Sequence, residues 1–210
     1  MGQLMKLFIP SFVWWRIVVL LIFIGAMLGI GVLIYKTFSV DKNFSTTLTG
    51  VHHLGSDYYI KRFYINKGIN DSVGEGGGGG SNVCCLSLPK KWSPELTADV
   101  RWEVIHILRA PDATTHDTGE VEGIYRAQVP IEPYAESGSF YVHFFPEKRV
   151  RIVVSDIPSN GEGHPAKTEG THAGENATMG YRIETMFTDE EIAEARREID
   201  RDRKKYGDWR

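Results

Sequence analysis

The chain has 210 residues, 24 Lys and Arg against 27 Asp and Glu, and a net charge of −3. That balance leaves no basic footprint for a polyanion and excludes nucleic acid as an expected partner. A hydrophobic fraction of 42% is ordinary for a globular chain, and the length beyond a short N-terminal segment suits one domain rather than two.

The first predicted element is a membrane span. Nineteen uncharged, almost wholly apolar residues run from Ile17 to Tyr35, closed by Arg16 and Lys36. At about 1.5 Å per residue, a helix of that length crosses roughly 30 Å of hydrocarbon. The run is too long for a cleaved signal, and the residues from Lys36 to Val40 offer no Ala-x-Ala-like site. Trp14, Trp15 and Tyr35 take interfacial positions. Gly25 and Gly29 make a GxxxG pair that would allow a weak homodimer. The expected organisation is a cytoplasmic tail over 1–16, a transmembrane helix over 17–36 in the lipid bilayer, and an extracytoplasmic domain over 37–210. In a Gram-negative cell this is a single-pass inner-membrane protein with a periplasmic C-terminal domain.

Beyond the span the apolar period is two, which predicts strands. Candidates are Thr46 to Leu54, Tyr58 to Asn66 and Val83 to Leu88. Next come Val100, Trp102, Val104, His106 and Leu108 on one face, with Arg101 and Glu103 opposite before Ile105 and Ile107. Val121, Tyr125, Ala127, Val129 and Ile131 alternate with Glu122, Arg126 and Gln128. Phe140 to Phe145 and Arg149 to Val154 are joined by Pro146, Glu147 and Lys148 as a hairpin. The pattern predicts a mainly β domain, an antiparallel sandwich or open barrel.

Between the strands lie two irregular stretches. The first contains Gly76, Gly77, Gly78, Gly79 and Gly80, then Cys84, Cys85 and Trp92. Consecutive glycines are costly to order, so the tract reads as a flexible connector or as a close-packed surface where another chain's backbone approaches. A phosphate cradle would need a following helix and a Lys-Ser or Lys-Thr pair, and neither is present. Adjacent cysteines on a strand point to opposite faces, so two buried free thiols are expected. The second stretch, Ser155 to Gly180, is polar and glycine-rich with His164 and His172, and is expected to be a mobile loop or an excursion covering one edge.

A C-terminal helix over 188–206 follows from Thr188-Asp189-Glu190-Glu191 as a capping box, from Arg203, Lys204 and Lys205 in the last turn, and from Gly207 as the stop. Its thin stripe of Ile192, Ala195, Ile199 and Tyr206 is expected to dock on the domain's own sheet. No GxSxG, HExxH or CxxC occurs, so neither a catalytic residue nor a metal or cofactor site is assigned. His52 and His53 are adjacent, and only one could face a given site.

Several pieces in order resemble a proteobacterial family of unknown function: Thr49-Gly50-Val51-His52-His53, Tyr59-Ile60, the glycine tract, Cys84-Cys85, Leu88-Pro89, Trp92 and Val100-Arg101-Trp102. Its members are similar to immunity proteins encoded beside type VI secretion phospholipase effectors. The resemblance implies a membrane-anchored periplasmic binding protein, not an enzyme, that neutralises a cognate phospholipase by direct contact. Candidate interaction residues are Gly76 to Gly80 and Trp92. The alternative is an envelope adaptor or assembly component.

Overall fold

The computed structural model describes residues 15–16, 18–27, 42–77, 83–112, 114–135 and 137–207. It divides into two units, 1–42 and 43–210. In the first, residues 18–27 form a helix, α1. Among the described residues no helix is long and apolar enough to cross a membrane. Ile17, residues 28–36 of the expected span, and Gly29 of the GxxxG pair lie outside the described residues.

The second unit is mainly β and closes with a helix. Its strands are β1 (Asn43–His52), β2 (Tyr58–Ile65), β3 (Ile69–Val73), β4 (Val83–Pro89), β5 (Thr97–Leu108), β6 (Thr118–Pro130), β7 (Ser139–Phe145), β8 (Arg149–Ser155), β9 (Thr178–Met179) and β10 (Tyr181–Ile183). One five-stranded sheet runs β4-β1-β7-β8-β9 and the other β10-β6-β5-β2-β3. Apolar residues alternate along the longer strands, so their inner faces meet in one core holding Leu48, Ile60, Phe63, Trp102, Tyr125, Phe140, Phe144 and Ile152. Phe63 and Phe144 cross edge to face with centroids 5.2 Å apart.

The sandwich is not wholly antiparallel, because β1 pairs with β7 in parallel from Leu48↔Phe140 to His52↔Phe144. The chain leaves this sheet after β1, builds most of the other, and returns, so β1 and β7 are not hairpin neighbours and need not run in opposite directions. The predicted phase of β6 also breaks. A bulge between Val104 and Ile105 of β5 leaves Glu122 as the extra residue on β6, and Val121 is 53% exposed rather than buried.

The outer face of the β1–β7–β8 sheet is covered by the chain itself. Ser155 to Gly180 is not a free loop: it contains α2 (Pro165–Thr168), a 3-10 turn (Gly170–His172) and β9, which lengthens the edge at β8. Ala166, Ala173 and Ala177 cluster with Phe145 on the outer side of β7. Arg151 of β8 clamps this cover. It bonds Glu132 in a bidentate pair, both oxygens of Glu169 at 2.6 and 2.8 Å, and the carbonyl of Ala173 at 3.1 Å.

On the other sheet, Arg101 is buried and donates to both oxygens of Glu191 and to the carbonyl of Met186, each at 2.7 Å. Phe187 packs on Tyr64 at 4.7 Å and lies under the Arg101 guanidinium at 5.1 Å. This fixes the start of α3 (Asp189–Tyr206), whose capping box joins Thr188 and Glu191 as expected. The expected docking of its apolar stripe does not occur. No residue of α3 is buried, and Ile199 and Tyr206 are 54% and 69% exposed. The helix is held by ions at its first turn, and only a narrow apolar seam was available to hold the rest.

Candidate functional site

Three features concentrate unusual chemistry in the second unit: a row of histidines, an aromatic-walled cavity beside it, and the flank that joins β3 to β4.

The row lies on the outer face of the β1–β7–β8 sheet. Strand alternation turns His52 and His53 to opposite sides. His52 donates from Nε2 to the carbonyl of Gly74 at 2.7 Å and accepts from the Leu54 amide at 3.3 Å, so it is a satisfied structural histidine. His53 Nε2 lies 3.1 Å from His143 Nδ1, and His143 Nε2 lies 3.1 Å from His164 Nε2. His164 Nδ1 is 2.9 Å from the carbonyl of Ile157.

That carbonyl can only accept, which orders the protons of the whole row. His164 carries its proton on Nδ1 and accepts at Nε2. His143 therefore donates from Nε2 and accepts at Nδ1, and His53 donates from Nε2. The proton positions follow from the bonding pattern. They leave a single lone pair at the exposed end, on His53 Nδ1.

One excess proton can sit on any of the three rings with every bond kept, each bond simply reversing. A second would set two N–H groups against each other. Burial, with the charges of His53, His164 and Arg151 around it, pushes the His143 pKa down to about 2. Burial also lowers the pKa of His53, with His52 and His164 adding to it. The ring nitrogens meet in pairs rather than at one point. Among the described residues no group of three His, Cys, Asp or Glu side chains is placed to hold a metal ion.

Phe145 stacks on His53 at 4.5 Å on the outer side of β7, and a cavity borders the end of the same strand. It measures about 190 Å³ and opens at the end of the sandwich, with Tyr58, Trp102, Tyr125 and Phe145 among its walls. Glu122, Glu147 and Lys148 supply its charges. Glu147 and Lys148 form the predicted β7–β8 turn, where φ is 59° and 62°. These are left-handed positions taken by non-glycine residues, and they aim the turn across the opening. Tyr125 donates to Glu122 at 3.4 Å, and burial raises its pKa.

The β3–β4 flank holds the expected interaction residues Gly76 and Gly77; Gly78, Gly79 and Gly80 lie outside the described residues. His52 donates its backbone N–H to the carbonyl of Gly77 at 3.0 Å. Gly77 has φ +69°, and a Cβ there would stand 2.8 Å from the His52 carbonyl, so this end of the tract is a close backbone approach within the same chain. Cys84 and Cys85 are neither buried nor free. Both are exposed and joined in a disulfide. The β1–β4 ladder passes from Thr46↔Leu86 to Thr47↔Cys84, so Cys85 is an extra bulged residue and the strict alternation that would separate the two side chains is lost. Trp92 is remote from this flank. It is half-buried and donates from Nε1 to the carbonyl of Ile131 at 2.8 Å, a contact within its own domain.

Sequence reasoning did not find the histidine row. Its members are 90 and 21 positions apart, and no spacing motif joins them. The available signal was that His143 falls out of phase with the inward Phe140, Val142 and Phe144.

The class defined by this architecture is a two-sheet β sandwich with one outer face covered by the segment after β8. A family model described as a protein of unknown function (DUF3304) matches residues 55–152, just under half of the 210-residue chain. The matched stretch includes His143, Arg151, the paired cysteines and the turn at the cavity mouth, and leaves out His53 and His164. No curated protein and no solved structure matches the chain.

Proposed function

We propose that this is a membrane-anchored periplasmic binding protein, an immunity protein that neutralises a type VI secretion phospholipase effector by direct contact. The observation that supports it is the β3–β4 flank. There β4 is the outermost strand of its sheet and carries the exposed Cys84–Cys85 disulfide opposite Thr47, while Gly77 bonds His52 at the far end of β1. An edge strand offers backbone donors and acceptors to a partner chain. Paired, exposed cysteines suit an oxidising compartment such as the periplasm. Arg101 and Arg151 tie the segments outside the two sheets to the domain, so recognition is assigned to the β4 edge. The choice of partner comes from the family resemblance.

The test is co-purification. The full chain in nanodiscs, mixed with the lipolytic effector of a neighbouring gene, is expected to form a stable complex and to protect cells that express the effector in the periplasm. Absence of a complex at micromolar concentration contradicts the reading.

A further inference from the structure

We propose that residues 156–168 form an acid-released arm, docked on the outer face of β7 at neutral pH by the histidine row and hinged at Glu169. The inference stands apart from the toxin-neutralising reading, which concerns the β3–β4 flank.

The arm meets the sheet through the 3.1 Å bond between His143 and His164 and through Ala166, which clusters with Phe145. Bonds within the arm close it on itself. The Lys167 amine donates to the Asn160 carbonyl at 2.7 Å, and the Thr168 hydroxyl donates to the His164 carbonyl at 3.0 Å. His143 and His164 are both 0% exposed, whereas His53 is open to solvent.

The groups around the row are His52 beside His53, Tyr141 of β7 set edge-on to His164 at 4.9 Å, and Arg151 of β8. Arg151 carries Glu132 and Glu169 on its guanidinium, so these two carboxylates are committed to another cation. Among the described residues the row's own hydrogen-bond partners are rings and one carbonyl, which do not neutralise an added positive charge.

Docked, the row keeps its bonds with at most one excess proton, since a second turns two N–H groups toward each other. Undocked, three solvated rings take up three protons below about pH 6.5. The open arm therefore binds two more protons than the closed one. Docking is complete above about pH 6.5 and is lost as pH falls, because the proton-rich state is the open one. The tie behind the arm does not follow. The Arg151 guanidinium holds the Glu169 carboxyl below the usual carboxylate range, so that pair stays charged through the same window. Glu169 is thus the hinge, and beyond it Gly180 keeps its 2.8 Å bond to the Lys148 carbonyl.

Hydrogen exchange of the full chain, read by mass spectrometry at pH 7 and pH 5 and corrected for the intrinsic pH dependence of exchange, tests the arm. Protection over 156–168 is expected to fall roughly 600-fold, the change for two protons of ordinary histidine affinity. Peptides over β5 and over 173–180 should keep theirs. His53→Gln alters the exposed end of the row and leaves a difference of one proton, so the fall should shrink to roughly 25-fold. Glu169→Gln should extend the opening into 173–180. Equal protection of 156–168 at both pH values overturns the proposal, as does an undiminished fall in His53→Gln. Loss of protection over β5 at pH 5 also overturns it, because the whole domain and not the arm would then be opening.

Discussion

At the scale of single residues, His143 links the fold to pH. Its pKa in the folded protein is held at about 2, against 6.5 for an ordinary histidine. The unfolded chain therefore takes up the proton first as pH falls. The stabilising contribution is complete above pH 6.5 and is lost below it, at about 1.4 kcal/mol per pH unit, or about 2 kcal/mol by pH 5. Urea unfolding of the parent chain should show this slope, and His143→Phe should flatten it while lowering stability at pH 7.5, because His53 and His164 lose their partners. An unchanged slope would contradict the neutral row. Gly50 gives a second test. A Cβ there would lie 2.6 Å from the Phe63 ring in the middle of the core. Gly50→Ala should cost about 1–3 kcal/mol by overpacking, measured as a fall in Tm.

At the scale of elements, α3 depends on one anchor. The Arg101 guanidinium holds the Glu191 carboxyl well below the usual carboxylate range, with the Thr188 amide and Lys67 adding to it. Glu191→Ala removes the bidentate partner of a buried cation as well as half of the capping box. Breaking a buried pair costs about 3–5 kcal/mol, and the partial exposure of Glu191 reduces that to about 2 kcal/mol. Denaturant unfolding measures the loss. Amide exchange should also be uneven along the helix, with slow exchange in the first two turns and fast exchange past Ile199, where no side chain is buried. Uniform protection to Tyr206 would mean that a partner or the domain covers the stripe.

At the scale of the whole molecule, the sequence was informative where a signal is local. Alternation and turn residues located β7 and β8, and the capping box located the start of α3. Ile69–Val73 escaped because five residues with Asn, Asp and Ser among them carry little apolar period. Strands β9 and β10 have two and three residues and exist through pairing with β8 and β6 on either side of Gly180. Parallel pairing of β1 with β7, the disulfide at the β4 bulge and the histidine row all depend on which segments meet in space. A period of two fixes a face but not a neighbour. The long polar stretch after β8 looked free because its apolar contacts are alanines, too small to raise a periodic signal, and its strongest tie is the Arg151–Glu169 pair.

Under the proposed reading, this sandwich acts by binding a lipolytic effector. Its most direct measurement is phospholipase activity of the cognate effector as the full chain is titrated into the assay. Hydrolysis is expected to fall and to be lost completely near one chain per effector. Undiminished hydrolysis with the chain in excess would contradict it.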